Sequence, residues 1–356
     1  MAKIKIGIVG TGGIARGHVK GYLDNPDAEI TAVYDVLPVK MEQFLKNVNL
    51  PNVSVCKSLD ELLQKVDAIS ICTPNNTHFQ VAKAAIDAGK HFICEKPLTA
   101  TYNEAVEFAN YYKNQTSKVK AMMGFSYRDI PAVRFIKKFL DEGKMGRIYT
   151  ITQQLGNIRI ADPFKVKREW RMDIIQSGTG ALIDFGCHLL DLTDHLITKE
   201  SGRLCSVQAS KNTFISQRMA LDDSGQLPVT NDDAALFSGI TEKGTLCSYY
   251  VNRLGMPFET LQITGEGGML YWNSHDDKKV GMQLKEKTGG YTGPMEFKEV
   301  PQEFFGKERH TGLIAEFVNA VKTNVTPSRG IDQGLYVQYV LEKINEAAET
   351  GKVVKL

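Results

Sequence analysis

No Cys-x-x-Cys pair occurs among the six cysteines, which lie at positions 56, 72, 94, 187, 205 and 247. A structural zinc site wants clustered ligands, so that class is excluded. Cys72 and Cys94 fall in apolar runs, where a thiol is a small hydrophobic filler. Net charge is scarce too. The 43 basic and 41 acidic residues leave only +2, too weak a field to favour nucleic acid or a membrane surface. No apolar run approaches the length of a spanning helix. The N-terminus passes almost directly into a strand, Ile4-Lys5-Ile6-Gly7-Ile8-Val9, which leaves no room for a secretory signal. A cytoplasmic location is the expectation. What remains is a 356-residue chain, 42% hydrophobic and 24% charged, with the composition of a globular protein of two domains.

The first third alternates strands and helices. Strand-like stretches run over Lys3–Val9, Glu29–Tyr34, Val53–Cys56, Ala68–Cys72, His91–Cys94 and Lys118–Gly124. Helical patterns include Phe79–Ala88 and Asn103–Lys113, the latter with Thr101 as N-cap. Such alternation predicts a doubly wound parallel sheet. Gly10-Thr11-Gly12-Gly13-Ile14-Ala15 follows the first strand and matches the G-x-G-x-x-A form of the dinucleotide fingerprint. Gly10 permits the tight turn, Gly12 admits a pyrophosphate and Ala15 lets helix and strand pack closely. The helix that begins at Gly13 and Ile14 offers its N–H groups to the phosphates.

Asp35 ends the second strand, about twenty residues past the motif, where an acid binds both hydroxyls of the adenine ribose. Its charge would repel a 2′-phosphate, and no arginine follows in Val36-Leu37-Pro38, so NAD is expected over NADP. Lys40 would soften that preference. Thr73 and Asn75, at the end of the fourth strand, are expected near the ribose and nicotinamide. His78 starts a helix and reads equally as a cofactor residue or as a surface or capping residue. Glu95-Lys96-Pro97 ends the fifth strand, on the edge where parallel sheets bind ligands.

With these features the chain resembles the Gfo/Idh/MocA family of NAD(P)-dependent oxidoreductases. The resemblance rests on Gly10–Ala15, Thr73-Pro74-Asn75 with His78, and Glu95-Lys96-Pro97-Leu98. It extends through Tyr127-Arg128 with Pro131-Ala132-Val133-Arg134, then Trp170-Arg171 and Gly178–His188, and reaches Pro257-Phe258-Glu259 and Gly265–Gly268. It implies an α/β fold: an N-terminal Rossmann domain over 1–124, then an α/β domain over 125–356 with a large, mainly antiparallel open sheet. The second domain would bind substrate and mediate oligomerisation, as a homodimer or homotetramer. Alternating stretches at Arg147–Leu155, Leu204–Lys211, Asp233–Ile240, Thr245–Asn252 and Glu259–Thr264 agree, and helices are expected over Arg309–Lys322 and Asp332–Thr350.

Asp184 and His188 lie four residues apart in a predicted helix and so share one face. Oxidation of a secondary alcohol needs an acceptor for the hydroxyl proton, and imidazole suits that task. Asp184 would orient the imidazole or contact the substrate. The resemblance assigns catalysis to Lys96, Asp184 and His188. Lys96 would come from the first domain to face His188 and donate to the substrate oxygen. It also implies Glu95 and Lys96 at the cofactor, and Tyr127, Trp170 and Arg171 at the substrate. Arg128 is assigned to the cofactor, with Arg171 an alternative there. Asp191 and His195 suggest a metal only weakly, and the resemblance implies none. Cys187 would point away from His188. The charged stretch Ile158–Arg168 reads as a solvated loop or a substrate selector.

The expected activity is NAD-dependent oxidation of a secondary hydroxyl of a cyclitol or sugar, such as an inositol, hexose or glycoside. An NAD-retaining glycosidase and a non-enzymatic sugar sensor are the alternatives. Neither nucleic acid nor membrane is an expected partner.

Overall fold

The computed structural model describes residues 2–115, 119–255, 257–285, 293–307 and 309–356. It contains two compact units: residues 1–129 with 306–338, and residues 130–305 with 339–356.

The first unit opens with β1 (Ile4–Val9), α1 (Ala15–Leu23), β2 (Ala28–Tyr34), α2 (Pro38–Asn47) and β3 (Ser54–Val55). It continues with α3 (Leu59–Lys65), β4 (Ala68–Ile71), α4 (His78–Asp87), β5 (His91–Cys94), α5 (Tyr102–Asn114) and β6 (Ala121–Met123). The strands pair in parallel in the order β3-β2-β1-β4-β5-β6. This is the expected doubly wound sheet, with the order reversing beside β1, where ligands bind such sheets. β4 is buried along its whole length, as a strand covered on both faces must be. Thr101 caps α5 by accepting from the Glu104 N–H, as its position predicts. The strand expected from Lys118 begins outside the described residues; within them β6 starts at Ala121.

The second unit holds α6 (Pro131–Asp141), β7 (Ile148–Gly156), α7 (Ile174–Ser177), α8 (Ala181–Ser201), β8 (Leu204–Asn212), β9 (Gln217–Met219) and β10 (Gln226–Pro228). Then follow β11 (Ala234–Thr241), β12 (Leu246–Asn252), β13 (Phe258–Gly265), β14 (Gly268–Asn273), β15 (Lys279–Leu284) and β16 (Glu296–Glu299). Nine strands form a sheet in the order β16-β15-β14-β13-β7-β12-β11-β8, closed by β17 (Val354–Lys355). Among the described residues only β7 and β12 pair in parallel, so the sheet is mixed and mainly antiparallel, as expected. Alternate residues of β11 and β12 are buried. On the buried face Gln153 donates to the Leu189 carbonyl (3.0 Å) and Thr193 shares a hydrogen bond with the Tyr249 hydroxyl (2.8 Å). These contacts seat α8 on the sheet.

Two long helices precede β17, α9 (Arg309–Thr323) and α10 (Ile331–Thr350). The compact units differ here from a division at 124/125, because α9 packs on α1 of the first unit. Leu313, Ile314 and Phe317 join one core with Ile6, Val19 and Tyr22. Gly17 and Gly21 make the close approach possible: a Cβ at either would lie 2.8 Å from His310 Nδ1 or 2.7 Å from Ile314 Cγ1. Among the described residues no helix is long and apolar enough to cross a membrane. The six cysteines are free; five are buried and Cys205 is half-buried.

Candidate active site

The glycine-rich turn comes first. Gly10 has φ +87°, and a Cβ there would lie 2.7 Å from the Cys72 carbonyl oxygen, so glycine is required. A Cβ at Gly12 or Gly13 would instead meet open space. No side chain caps α1, leaving its N-terminus to an anion, and the turn therefore fits a dinucleotide pyrophosphate. Asp35 clasps the turn: Thr11 donates to its Oδ2 from both N–H (2.8 Å) and hydroxyl (2.9 Å). Leu37 N–H donates to Oδ1 (3.0 Å), which keeps a lone pair for a ribose hydroxyl. Asp35 thus shapes the phosphate turn, a contact that its spacing alone did not suggest.

Asn75 and His78 follow β4 and are buried. His78 is not a surface residue; its Nδ1 faces the Pro97 carbonyl (2.9 Å) and its Nε2 the Thr73 carbonyl (3.0 Å). Burial lowers its pKa against the pull of those carbonyls. The neutral ring can donate to one of them while it braces the loops that follow β4 and β5.

Beyond β5, Glu95 is 5% exposed and its carboxylate meets a histidine absent from the sequence reading. His18, fully buried on α1, places Nε2 2.9 Å from Glu95 Oε1 and Nδ1 3.0 Å from the Ser70 hydroxyl, itself 2.8 Å from the Tyr22 hydroxyl. Burial opposes a charge on His18, but Cys72 and Glu95 outweigh it and push the imidazole up to about 10. Burial likewise opposes the Glu95 charge, and the His18 contact wins, holding the carboxyl below its ordinary range. A helical signal existed: His18 shares the buried stripe of Ala15, Val19 and Tyr22, where a titratable group is out of place.

The His310 ring lies 5.8 Å from that of His18. Burial lowers its pKa to about 4; Glu95 opposes this and the His18 charge adds to it. Between pH 4 and 6.5 the unfolded chain therefore binds more protons at this position, and stability falls on acidification through that window. His18 has the opposite sign: its contribution is full below pH 6.5 and is lost as pH rises toward 10. Thermal stability is expected to peak near neutral pH, with His310→Gln flattening the acid limb alone. Parallel melting-temperature profiles for variant and parent over pH 4–6.5 would remove His310 from this linkage.

Tyr127 and Arg128 are buried, and the Arg309 guanidinium lies 4.3 Å from the Tyr127 ring centre. Neighbouring Asp129 receives both arms of buried Arg329 (2.7 and 3.3 Å), which also donates to the Phe125 carbonyl. That cluster fixes the segment holding Tyr127 and Arg128.

In the second unit the Arg171 guanidinium stacks 4.3 Å from the Trp170 ring centre and 3.5 Å from Glu169. Burial lowers the Arg171 pKa, and the Asp184 carboxylate opposes that, so the two side chains interact electrostatically. Asp184 lies in the first turn of α8 and His188 one turn on, 7% exposed. The first turn suits a carboxylate, because its charge faces the positive end of the helix dipole. Cys187 is buried with its thiol toward the Asp184 carbonyl (3.5 Å).

Asn231, Asp232, Asp233 and Arg253 were not legible as site residues, yet they set where α8 begins. Asp232 accepts from the Gly180 and Leu182 N–H groups, both at 2.8 Å, and its carbonyl accepts from Ala181 (2.9 Å). Burial raises the Asp232 carboxyl, opposed by those N–H groups and Arg253. Arg253 donates to the Arg171 carbonyl (2.8 Å) and Asn231 Oδ1 (3.0 Å), and pairs with Asp233 (3.4 Å). Asn231 donates to the carbonyls of Arg171 (2.9 Å) and Gly178 (3.2 Å). One buried polar cluster therefore ties the Trp170-Arg171 segment to the helix carrying Asp184 and His188. The loop around 158–168 is pinned from within by buried Arg218, which donates to the carbonyls of Ile160, Asp162 and Val166. Among the described residues no cluster of three or more His, Cys, Asp or Glu side chains suits a metal ion.

The sequence profile of an oxidoreductase family's NAD-binding Rossmann fold, GFO_IDH_MocA, matches residues 4–125, and that of its C-terminal alpha/beta domain matches 137–356. Glucose-6-phosphate 3-dehydrogenase of Bacillus subtilis is 28% identical over 273 residues, 73% of this chain and 75% of that protein. Levoglucosan dehydrogenase of Pseudarthrobacter phenanthrenivorans is 35% identical over 153 residues, 43% of this chain and 37% of that protein. A solved structure of levoglucosan dehydrogenase with NADH and L-sorbose has the same fold: TM-score 0.89 at 23% identity, covering 99% of this chain and 98% of that one.

Proposed function

The chain belongs to the Gfo/Idh/MocA family of NAD-binding oxidoreductases, and from that premise we propose that it oxidises a secondary hydroxyl of a cyclitol or sugar to the ketone. The observation that carries this reading is the pair Asp184 and His188 on one face of α8, whose start is pinned by buried Asp232. Relatives named for glucose 6-phosphate and levoglucosan support a ring polyol as the substrate class.

NAD, when bound, supplies the hydride acceptor. A ring nitrogen of His188 takes the hydroxyl proton. The Lys96 ammonium donates to the substrate oxygen and favours its alkoxide character. Asp184 orients the imidazole or the substrate, and Tyr127, Trp170 and Arg171 contribute to substrate binding. Gly10, Gly12, Gly13 and Ile14 hold the pyrophosphate, Asp35 the adenine ribose, and Thr73, Asn75 and Arg128 the remainder of the cofactor. Glu95 and His78 serve the cofactor through the loops that they brace. Exposed Tyr149, Leu236, Ile240 and Leu246 on the nine-stranded sheet support a homodimer or homotetramer.

The decisive test is NADH formation across inositol isomers, free sugars, sugar phosphates, sugar acids and glycosides. NAD that copurifies and cycles without net NADH, while a glycoside is cleaved, would replace this reading with the glycosidase. Asp35→Ser should shift the NAD:NADP ratio of kcat/KM toward NADP by about tenfold, since about 1.4 kcal/mol of discrimination corresponds to that factor. The NAD KM should rise as well, because one hydroxyl cannot replace both carboxylate oxygens at Thr11 and Leu37. An unaltered ratio would end the ribose assignment.

A further inference from the structure

We propose that His18 is a positioning residue for Lys96, acting through the buried Glu95 carboxylate that bridges its imidazole to the lysine's own peptide N–H. The inference rests on the role given to Lys96 above. Its geometry is a chain of four contacts. Tyr22 and His18 both meet the Ser70 hydroxyl, His18 Nε2 meets Glu95 Oε1, and Lys96 N–H donates to Glu95 Oε2 at 3.3 Å. Each link on this path can form whether or not the imidazole is charged. In the neutral form Tyr22 donates to Ser70, Ser70 to Nδ1, and Nε2–H to Glu95. In the charged form Nδ1–H donates to Ser70 instead. The Nε2–H···Oε1 link is common to both.

The carboxylate has a fitted seat. A Cβ on Gly124 would lie 2.6 Å from Glu95 Oε1, so its floor is bare backbone. Five groups interact with its charge: His18 from α1, His310 from α9, His78 at the start of α4, Cys94 at the end of β5, and Lys96 beside it. Burying such a pair is a poor source of stability, because desolvation consumes most of the Coulomb attraction. Its use here is geometric. A carboxylate held at both oxygens fixes the peptide at which β5 ends, and a catalytic side chain is only as well placed as the backbone that carries it.

Two amide isosteres separate the ends of the bridge. Glutamine places an N–H near the Nε2 position and keeps the donor to Glu95. Asparagine reaches only the Nδ1 position and keeps Ser70 alone. Each full-length variant would be assayed with NAD and glucose 6-phosphate, levoglucosan and myo-inositol as probes. In parallel, the rate of Lys96 acetylation by acetic anhydride would be read by peptide mass spectrometry, which needs no substrate.

His18→Asn is expected to lower kcat by about tenfold or more, since small displacements at a reacting centre cost up to about 10²-fold. It should change Lys96 labelling about threefold relative to the other lysines. His18→Gln should recover most of both signals. Equal damage in the two variants, or parental labelling in His18→Asn, overturns the proposal. If His18→Asn does not fold, Glu95→Gln decides: parental kcat and labelling in that variant overturn it. Lys96→Ala separates the two levels. An active Lys96→Ala enzyme removes the role of Lys96 itself. An inactive one beside a parental His18→Asn removes only the bridge.

Discussion

Alanine at His188 is expected to reduce kcat by about 10²–10⁴-fold, the usual worth of a positioned general base. Three features give the prediction its size. His188 shares a helix face with Asp184, it is nearly buried, and the helix carrying both is fastened at its start by Asp232. NADH affinity, measured by fluorescence titration, should stay near the parental value, because the glycine-rich turn and Asp35 belong to the other compact unit. Added imidazole should restore part of the rate. Lys96→Ala should give a loss of similar order in kcat/KM through the missing donor to the substrate oxygen. Parental turnover in His188→Ala would remove the histidine from the chemistry, whatever the substrate.

Gly180→Ala should do comparable damage by a different route. A Cβ at Gly180 would lie 1.8 Å from the Asp232 carbonyl oxygen and 2.7 Å from the Arg253 Nη2. The first neighbour is backbone and cannot swing aside. Relief requires the start of α8 to move away from the Asn231–Asp233 turn, weakening the Gly180, Ala181 and Leu182 N–H contacts together. Overpacking of this kind costs about 1–3 kcal/mol or more, which corresponds to a melting-temperature loss of about 2–12 °C for a unit of this size. Because Asp184 lies in the displaced turn, kcat should fall in the protein that remains folded. A Gly180→Ala enzyme with parental melting temperature and kcat would show that this close approach is dispensable.

The chain pattern was readable where local physics sets it. Buried parallel strands, the G-x-G-x-x-A turn and the alternating strands of the second unit are periodic signals, and β1, β5, β7 and β8 start within about a residue of their expected positions. The helix carrying Asp184 and His188 was legible for the same reason. Strands β14, β15 and β16, the short pair β9–β10, and β17 were not separately anticipated; a short strand carries too few alternations to stand out. Nor did the sequence suggest that α9 joins the first unit, since its partner α1 lies nearly three hundred residues earlier and the contact depends on two glycines.

Taken alone, the sequence determined the class of each domain and the glycine-rich nucleotide turn, and it supplied the candidates proposed for the chemistry, because those rest on residue type and short spacing. Tertiary structure alone decided what holds them. His18 meets Glu95 across 77 positions, and Asp232 meets Gly180 across 52. Such pairings have no local period. They exist because a buried polar group must find its partner wherever the packed chain brings one within reach.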